Sequence, residues 1–339
     1  YFCDREQETF DLITALSNGR NVTLMSPRRM GKTGLICNVF HQLQQRKEVA
    51  CFYIDIFSTK SLASFVKVFA SAIVGKLDTP MQRAEGFIQR FFQGIRLSFS
   101  TDMLTGNPQV NLDFQPEQTE STLEQVFAYL VQSERECYIA IDEFQQITKY
   151  ADGVNVEATL RTYMQKCINA TFIFAGSQRH LMGEIFTSPS RPFYQSVLIM
   201  NLQPIAVDKY VEFAQLQFAK YGKCIEPDVV REVYVKFDAV TSCIQRVLNV
   251  LFLKTPQGEV CTPSMVQGAV DYIIALFSET YEMLLEKIPE KQREVLKAIA
   301  HAGRAKEVTG KTFITAENKY HALTAKDELV FAHGALKAL

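Results

Sequence analysis

The sequence lacks the features that mark membrane-spanning, secreted and zinc-binding proteins. No stretch approaches the roughly 18 apolar residues of a membrane span, and no charged segment followed by an apolar one opens the chain, so neither a span nor a secretory signal is predicted. Eight cysteines occur singly without any C-x-x-C pair, and five histidines are dispersed. We therefore expect reduced, mostly buried thiols in a cytoplasmic protein, without a zinc site or a disulfide framework.

A charge of one sign is also missing. The chain has 36 basic and 37 acidic residues, a net charge of −1, so any surface that binds nucleic acid or membrane must be local. A length of 339 residues and 47% hydrophobic content predict about two or three domains with a sizeable core. The chain begins with Tyr1 and not methionine, and we expect that residues precede it or have been removed.

A phosphate-binding loop is the strongest motif that is present. Residues 26–33, Ser-Pro-Arg-Arg-Met-Gly-Lys-Thr, fit the pattern G-x-x-x-x-G-K-[ST] except that serine replaces the first glycine. In such a loop, N–H groups at a helix N-terminus surround a phosphate, Lys32 reaches the β- and γ-oxygens, and the Thr33 hydroxyl ligates Mg²⁺. The candidate nucleotide-binding residues are Ser26, Pro27, Arg28, Arg29, Met30, Gly31, Lys32, Thr33 and Gly34. The substitution at Ser26 leaves open a degraded loop that binds nucleotide without hydrolysis.

A second motif supports hydrolysis. Residues 138–143, Tyr-Ile-Ala-Ile-Asp-Glu, read as a buried strand that ends in two carboxylates, the Walker B arrangement. We expect Asp142 to hold Mg²⁺ through water and Glu143 to orient and deprotonate the water that attacks the γ-phosphate. The alternative, a surface Asp-Glu pair that caps a helix, is common by itself but does not explain the preceding phosphate loop.

Strand and helix patterns alternate around these motifs and predict an α/β fold with a parallel sheet and helices on both faces. Strands are expected at 21–25, 49–56, 138–141, 172–175 and 196–201, and helices at 6–16, after the loop to about 45, and at 62–77. Ile95, Leu97 and Phe99, then residues 110–114 after Gly106, alternate with polar residues and predict a β-hairpin insertion at about 83–118. This hairpin either contacts a partner or covers part of the core.

These stretches together resemble the archaeal-type ATPase family, a prokaryotic branch of the P-loop ATPases close to the AAA+ and STAND groups. The resemblance covers roughly residues 1–300 and is carried by five stretches, 2–6, 18–21, 26–33, 141–146 and 188–194. It implies ATP as the nucleotide, Mg²⁺ as the metal, an AAA+-like P-loop domain, a helical lid and a winged-helix domain. It also implies that Ser177 matches a nucleotide sensor and that Arg191 is placed as an arginine finger, with Arg179 as the second choice.

The alternatives for these last residues stay open: Ser177 as an ordinary turn residue, and Arg191 in a surface ion pair or structural contact. Beyond residue 201, helical patterns at 207–221, 227–237, 242–253 and 263–288 suit a lid, where Arg246 is a candidate second sensor or a solvent-facing arginine. The predicted domains are 1–203, 204–285 and 286–339. The last has ten basic and seven acidic residues, and either reads DNA, docks a partner or is incomplete.

The sequence thus predicts an ATPase in which Glu143, Lys32, Arg191 and Ser177 act on the nucleotide and Thr33 and Asp142 hold Mg²⁺. Hydrolysis of ATP to ADP would be coupled to conformational change or assembly on DNA or on a protein partner, with a homo-oligomer as one form. The alternative is a signalling switch that holds ATP or ADP and turns over slowly, since both classes use the same site.

Overall fold

The structure is a computed structural model that describes residues 3–46, 48–77, 92, 95–101, 108–133, 135–290, 292–293, 296–297 and 300. The chain divides into two compact units, Tyr1–Gln203 and Pro204–Leu339. Among the described helices, none combines the length and apolar character that crossing a membrane requires.

The first unit is built on a parallel sheet. Its described strands are β1 (Val22–Met25), β2 (Val49–Asp55), β3 (Arg96–Thr101), β4 (Pro108–Asp113), β5 (Glu136–Asp142), β6 (Ala170–Gly176) and β7 (Leu198–Asn201). Its helices are α1 (Glu6–Ser17), α2 (Lys32–Leu43), α3 (Leu62–Leu77), α4 (Thr119–Val131), α5 (Gly153–Lys166) and α6 (Arg179–Thr187). Five of the strands form one sheet in the order β2-β5-β6-β1-β7, and all of their pairings are parallel. The α/β fold with a parallel sheet is confirmed.

The two faces of the sheet bury different side chains, as the alternation of a strand requires. On β5, Ile139 and Ile141 join the core beneath α3 to α6, whereas Tyr138 and Ala140 join the core beneath α1 and α2. The sheet is therefore apolar on both faces, which explains why its strands read as continuous hydrophobic runs.

The predicted hairpin is present, and its described second strand covers the core. β3 and β4 pair antiparallel with Arg96 opposite Asp113. Val110, Leu112 and Phe114 are buried in the core that includes α3, and the Lys67 ammonium on α3 lies 5.3 Å from the centre of the Phe114 ring. The rest of the insertion, including residues 83–91 and Gly106, lies outside the described residues.

The second unit is helical in the residues that the structure describes. Its helices are α7 (Val207–Ala219), α8 (Pro227–Lys236), α9 (Thr241–Lys254), α10 (Ser264–Leu276) and α11 (Ser278–Glu286), and β8 (Cys224–Ile225) pairs parallel with β9 (Val260–Cys261). The single helical run expected at 263–288 is wrong. Phe277 adopts φ −111° and ψ 10°, outside the helical region, and separates α10 from α11.

Six of the eight cysteines are buried. Burial raises the pKa of Cys137 to about 11 and that of Cys167 to about 12. Cys37 and Cys224 are the exposed thiols.

Candidate nucleotide-binding site

The phosphate loop connects β1 to α2 at the carboxyl end of the sheet. Helix α2 begins at Lys32, with Gly31 as its N-cap at φ 90° and ψ 20°. A Cβ atom at Gly31 would meet no heavy atom within 4 Å, so the need for glycine here comes from the left-handed backbone and not from crowding. The loop thus directs the first N–H groups of α2 into the turn, as anion binding requires.

Ser26 does not disturb this loop. Left-handed φ angles occur at Arg29 (67°) and Gly31 and not at Ser26, so the serine needs no strained backbone. Ser26 is fully buried, and its hydroxyl oxygen accepts a hydrogen bond from the Lys32 ammonium at 3.2 Å. In this chain the hydroxyl adds a polar contact that a glycine would lack.

Lys32 is the buried cation of the loop. Its Nζ also donates to the carbonyl oxygens of Ser26 at 2.9 Å and Pro27 at 3.2 Å. Burial lowers the pKa of Lys32, and the nearby carboxylates of Asp142 and Glu143 oppose this effect. A buried ammonium held by neutral carbonyl groups gains from an anionic partner, so this arrangement fits a bound phosphate group.

Three oxygen-bearing side chains meet where β2, α2 and β5 come together. The Thr33 hydroxyl donates to Asp142 Oδ2 at 3.1 Å. The Tyr53 hydroxyl donates a short hydrogen bond to the same Oδ2 and lies 3.5 Å from Thr33 Oγ1. Burial and the bond to Asp142 raise the pKa of Tyr53, so the phenol stays protonated.

Thr33 and Asp142 fit a magnesium site. Both supply oxygen, and Mg²⁺ in nucleotide sites is held by one or two protein oxygens together with phosphates and water. In the described part of the chain, no group of three or more His, Cys, Asp and Glu side chains is placed to hold a metal ion. The metal would therefore depend on the nucleotide for further ligands, which agrees with the predicted chemistry.

Glu143 lies next to Asp142 in a left-handed conformation with φ 55° and ψ 38°. Its Oε2 accepts hydrogen bonds from Ser177 Oγ at 3.0 Å and from Gln145 Nε2. Ser177 in turn lies 3.5 Å from Arg28 Nε. The structure thus brings the predicted base and the predicted sensor together; their roles stay predictions.

An aromatic cluster fixes the backbone beside Glu143. Phe144 is fully buried, and its ring centre lies 4.5 Å from Phe174, 5.9 Å from Phe186 and 5.5 Å from Phe193. The left-handed conformation of a glutamate is unfavourable, and a buried neighbour that cannot move is what sustains it. The cluster therefore holds the residue that follows Glu143 in the core.

Arg191 has carboxylate partners within its own chain. Its Nε donates to Glu157 Oε2 at 3.1 Å, its Nη2 donates to Glu157 Oε1, and its Nη1 donates to Glu184 Oε1 at 2.9 Å. Glu157 is fully buried and Arg191 is 13% exposed. This geometry favours the structural alternative, and the arginine-finger role stays a prediction. Arg179, the second choice, is exposed at the start of α6.

Arg246 belongs to the second unit. Its guanidinium carbon lies 4.9 Å from the centre of the Phe277 ring, a cation–π contact within that unit. Arg246 is exposed, as the solvent-facing alternative expects, and the second-sensor role stays a prediction.

Arg5 is a site residue that motif analysis missed. It is 3% exposed, and its guanidinium donates to the carbonyl oxygens of Met30 in the phosphate loop at 3.1 Å and of Gln203 at 2.7 Å. Glu8 pairs with it at 2.6 Å. The only sequence signal is that Arg5 falls in one of the stretches that carry the family resemblance.

We expect Arg5→Ala to loosen the phosphate loop. The change removes a buried hydrogen bond to Met30 and a part-buried one to Gln203, both from a charged donor, and should lower the free energy of unfolding by about 2–4 kcal/mol. Because Met30 then loses its fixed partner, nucleotide affinity should fall by about tenfold, a loss of about 1.4 kcal/mol. Urea unfolding and titration with a fluorescent ATP analogue measure the two effects. Exposed Arg20, changed to alanine, is the control; equal affinity in both variants would contradict the prediction.

Comparisons with known proteins agree with this geometry. Residues 2–246 match the family described as ATPase domain predominantly from Archaea, and residues 279–329 match a family described as probable winged helix domain. The second match lies mostly outside the described residues.

Solved structures share the fold over almost the whole chain. A Walker-type ATPase of Pyrococcus abyssi superposes with a TM-score of 0.61 and 18% identity, covering 99% of this chain and 89% of that one. The ORC1 protein of Aeropyrum pernix, in complex with DNA, superposes with a TM-score of 0.56 and 13% identity, covering 98% of this chain and 82% of that one. The ORC2 protein of the same organism, in ADPNP–ADP complexes, superposes with a TM-score of 0.56 and 13% identity, covering 100% of this chain and 88% of that one.

A short stretch is similar to a different protein. It is 67% identical over 33 residues to fumarate hydratase class II of Bacillus anthracis, which is 10% of this chain and 7% of that enzyme. With 7% of the enzyme's length represented, the match carries neither its fold nor its activity to this chain.

Proposed function

This chain belongs to the family of ATPase domains found predominantly in Archaea, and on that premise we propose that it couples Mg²⁺-dependent ATP hydrolysis to conformational change or assembly on DNA. The observation that carries the hydrolytic part is the contact of Thr33 Oγ1 with Asp142 Oδ2 at 3.1 Å, directly beside Glu143. The Walker A hydroxyl and the Walker B carboxylate converge at one edge of the sheet, next to the carboxylate that would act as base.

Each residue then has a distinct task. Lys32 contacts the β- and γ-phosphate oxygens, and the loop from Ser26 to Gly34 surrounds the phosphates with N–H groups. Thr33 and Asp142 hold the magnesium ion, which when bound neutralises charge on the β- and γ-oxygens. Glu143 accepts the proton of the attacking water. Ser177, as a sensor, hydrogen-bonds the phosphate or that water and reports whether the nucleotide is intact.

DNA is the partner that we favour for the C-terminal region. A winged-helix family matches residues 279–329, and residues 286–339 carry ten basic and seven acidic residues. The ORC1 protein that shares the fold is recorded in complex with DNA. At 13% identity the similarity to that protein shows a shared fold and not a shared partner, so DNA binding by this chain is a proposal.

The test is ATP hydrolysis by the full chain with and without duplex DNA, at salt concentrations from about 50 to 200 mM. We expect DNA to stimulate turnover at the lowest salt and the stimulation to disappear as salt rises, because phosphate contacts release counterions. Lys32→Ala is the control that should not respond. Tight nucleotide binding with turnover that is near background and indifferent to DNA would contradict the proposal and favour the slow signalling switch.

A further inference from the structure

Gln145 is a buried side chain that the proposed chemistry does not yet use. It lies two residues after Glu143 in the short 3-10 helix Phe144–Lys149 and is 2% exposed. Its Nε2 donates to Glu143 Oε2, the same oxygen that accepts the Ser177 hydroxyl. Two donors from different elements therefore hold one oxygen of the proposed base.

The other oxygen of Glu143 is left available. Within the described part of the chain, both hydrogen bonds reach Oε2 and none reaches Oε1. A general base must have an oxygen within hydrogen-bond reach of the water from which it takes a proton, and fixing the other oxygen helps to orient it. The hydrogen-bond pattern around Glu143 meets this requirement.

The position of Gln145 is itself built into the fold. A Cβ atom at Gly176 would lie 2.4 Å from Gln145 Oε1 and 2.4 Å from Met182 Sδ, so a side chain at the end of β6 would displace Gln145 or Met182. Glycine at position 176 thus allows the amide to reach Glu143. Ser177, the second donor, follows directly.

Gln145 also opposes folding. Its Oε1 is buried without a hydrogen-bond partner among the described residues, and a buried polar atom without a partner is unfavourable. Turning the amide over would break the bond to Glu143 Oε2 and place Oε1 against that carboxylate oxygen, which cannot donate to it. A side chain kept at a cost to stability is more simply explained by function than by packing.

We propose that Gln145 is a positioning residue for Glu143, and that together with Ser177 it fixes Oε2 so that Oε1 faces the attacking water. The inference rests on the proposed ATPase function and assigns how its base is oriented. In this proposal Gln145 acts through Glu143.

The experiment is a double-mutant cycle with Gln145→Met and Glu143→Gln, measured as single-turnover ATP hydrolysis by excess full-length protein. Methionine has a similar volume and no donor. We expect Gln145→Met to lower the hydrolysis rate by about 10- to 100-fold through misplacement of the base, with the dissociation constant for an ATP analogue unchanged within about twofold. In the Glu143→Gln background the same change should have no further effect.

Thermal stability distinguishes a positioning role of Gln145 from a purely structural one. Since methionine removes an unpaired buried oxygen, the thermal midpoint of Gln145→Met should stay the same or rise while hydrolysis slows. Gln146→Met is the matched control, because the Gln146 side chain donates to the carbonyl oxygen of Thr59 at 2.9 Å and not to the Glu143 carboxylate. Its backbone N–H bond to the Glu143 carbonyl oxygen at 2.8 Å is retained in the variant. We expect Gln146→Met to leave the hydrolysis rate within about threefold of the native value, the range of ordinary context dependence.

Each result has a defined meaning. Native-like hydrolysis by Gln145→Met, or an equal further loss in the Glu143→Gln background, overturns this inference and leaves the proposed function standing. A native rate equal to that of Glu143→Gln overturns both. If Gln145→Met does not fold, Gln145→Asn replaces it, because the amide is retained but is one methylene too short to reach Glu143, and the same losses are expected.

Discussion

Replacement of Glu143 by glutamine will abolish most ATP hydrolysis while leaving nucleotide binding intact. Glutamine has the shape of glutamate and its amide oxygen accepts the Ser177 hydrogen bond, but it cannot take a proton from water. A general base contributes about 10²- to 10⁴-fold to a rate, and we expect a loss of that size in kcat. Phosphate release and titration with an ATP analogue measure the two quantities.

The control for this prediction lies on the same strand. Glu136 is exposed at the opposite, amino end of β5, so Glu136→Gln removes the same charge far from the phosphate edge and should leave kcat within about threefold. Turnover by Glu143→Gln close to that of Glu136→Gln would mean that Glu143 is not the base. Loss of nucleotide affinity in Glu143→Gln would mean that the change disturbs the loop and not only the chemistry.

Replacement of Arg191 by alanine will destabilise the first unit rather than act on catalysis alone. The change leaves the fully buried Glu157 carboxylate without its bidentate partner, and removing one member of a buried pair costs about 3–5 kcal/mol. Urea unfolding of the native chain and the variant measures this loss. Arg179→Ala removes an exposed arginine of α6 and should shift stability by less than about 0.5 kcal/mol.

The pH dependence of Arg191→Ala supplies an internal check. Burial raises the pKa of Glu157 and Arg191 lowers it again, so without the arginine the pKa in the folded state rises further above the unfolded value. A carboxyl group whose pKa is higher in the folded state contributes to folding stability below its unfolded pKa. That contribution is lost as the pH rises through its folded pKa. The loss in free energy of unfolding of Arg191→Ala, relative to the native chain, should therefore be smaller at acidic than at neutral pH.

The same variants test the arginine-finger alternative. A finger acts on a neighbouring subunit, so its loss lowers turnover without changing the stability of its own unit. If Arg191→Ala unfolds at the native urea concentration but hydrolyses ATP slowly, the structural explanation fails. If Arg179→Ala loses turnover with native stability, Arg179 takes the finger role.

The sequence alone identified the phosphate loop, the Walker B strand and the parallel sheet. These features are local: Lys32 and Thr33 follow one another at a helix N-terminus, Asp142 and Glu143 are adjacent, and each buried strand is a continuous apolar run. The family resemblance drawn from the same stretches is confirmed by the match over residues 2–246. The sequence pattern did not predict the break at Phe277, because apolar residues at helical spacing continue through both α10 and α11.

Tertiary structure alone decided which other side chains join the site. Tyr53 meets Asp142 across 89 residues, and Arg5 contacts Gln203 across 198, so no local pattern predicts either contact. Arg191 has its partners on α5 and α6, which a sequence motif does not reveal. Motifs such as the phosphate loop consist of residues adjacent in sequence, so the sequence alone reveals them. The orientation of a base or the pairing of a buried arginine depends on elements that are distant in sequence and meet only in the packed fold.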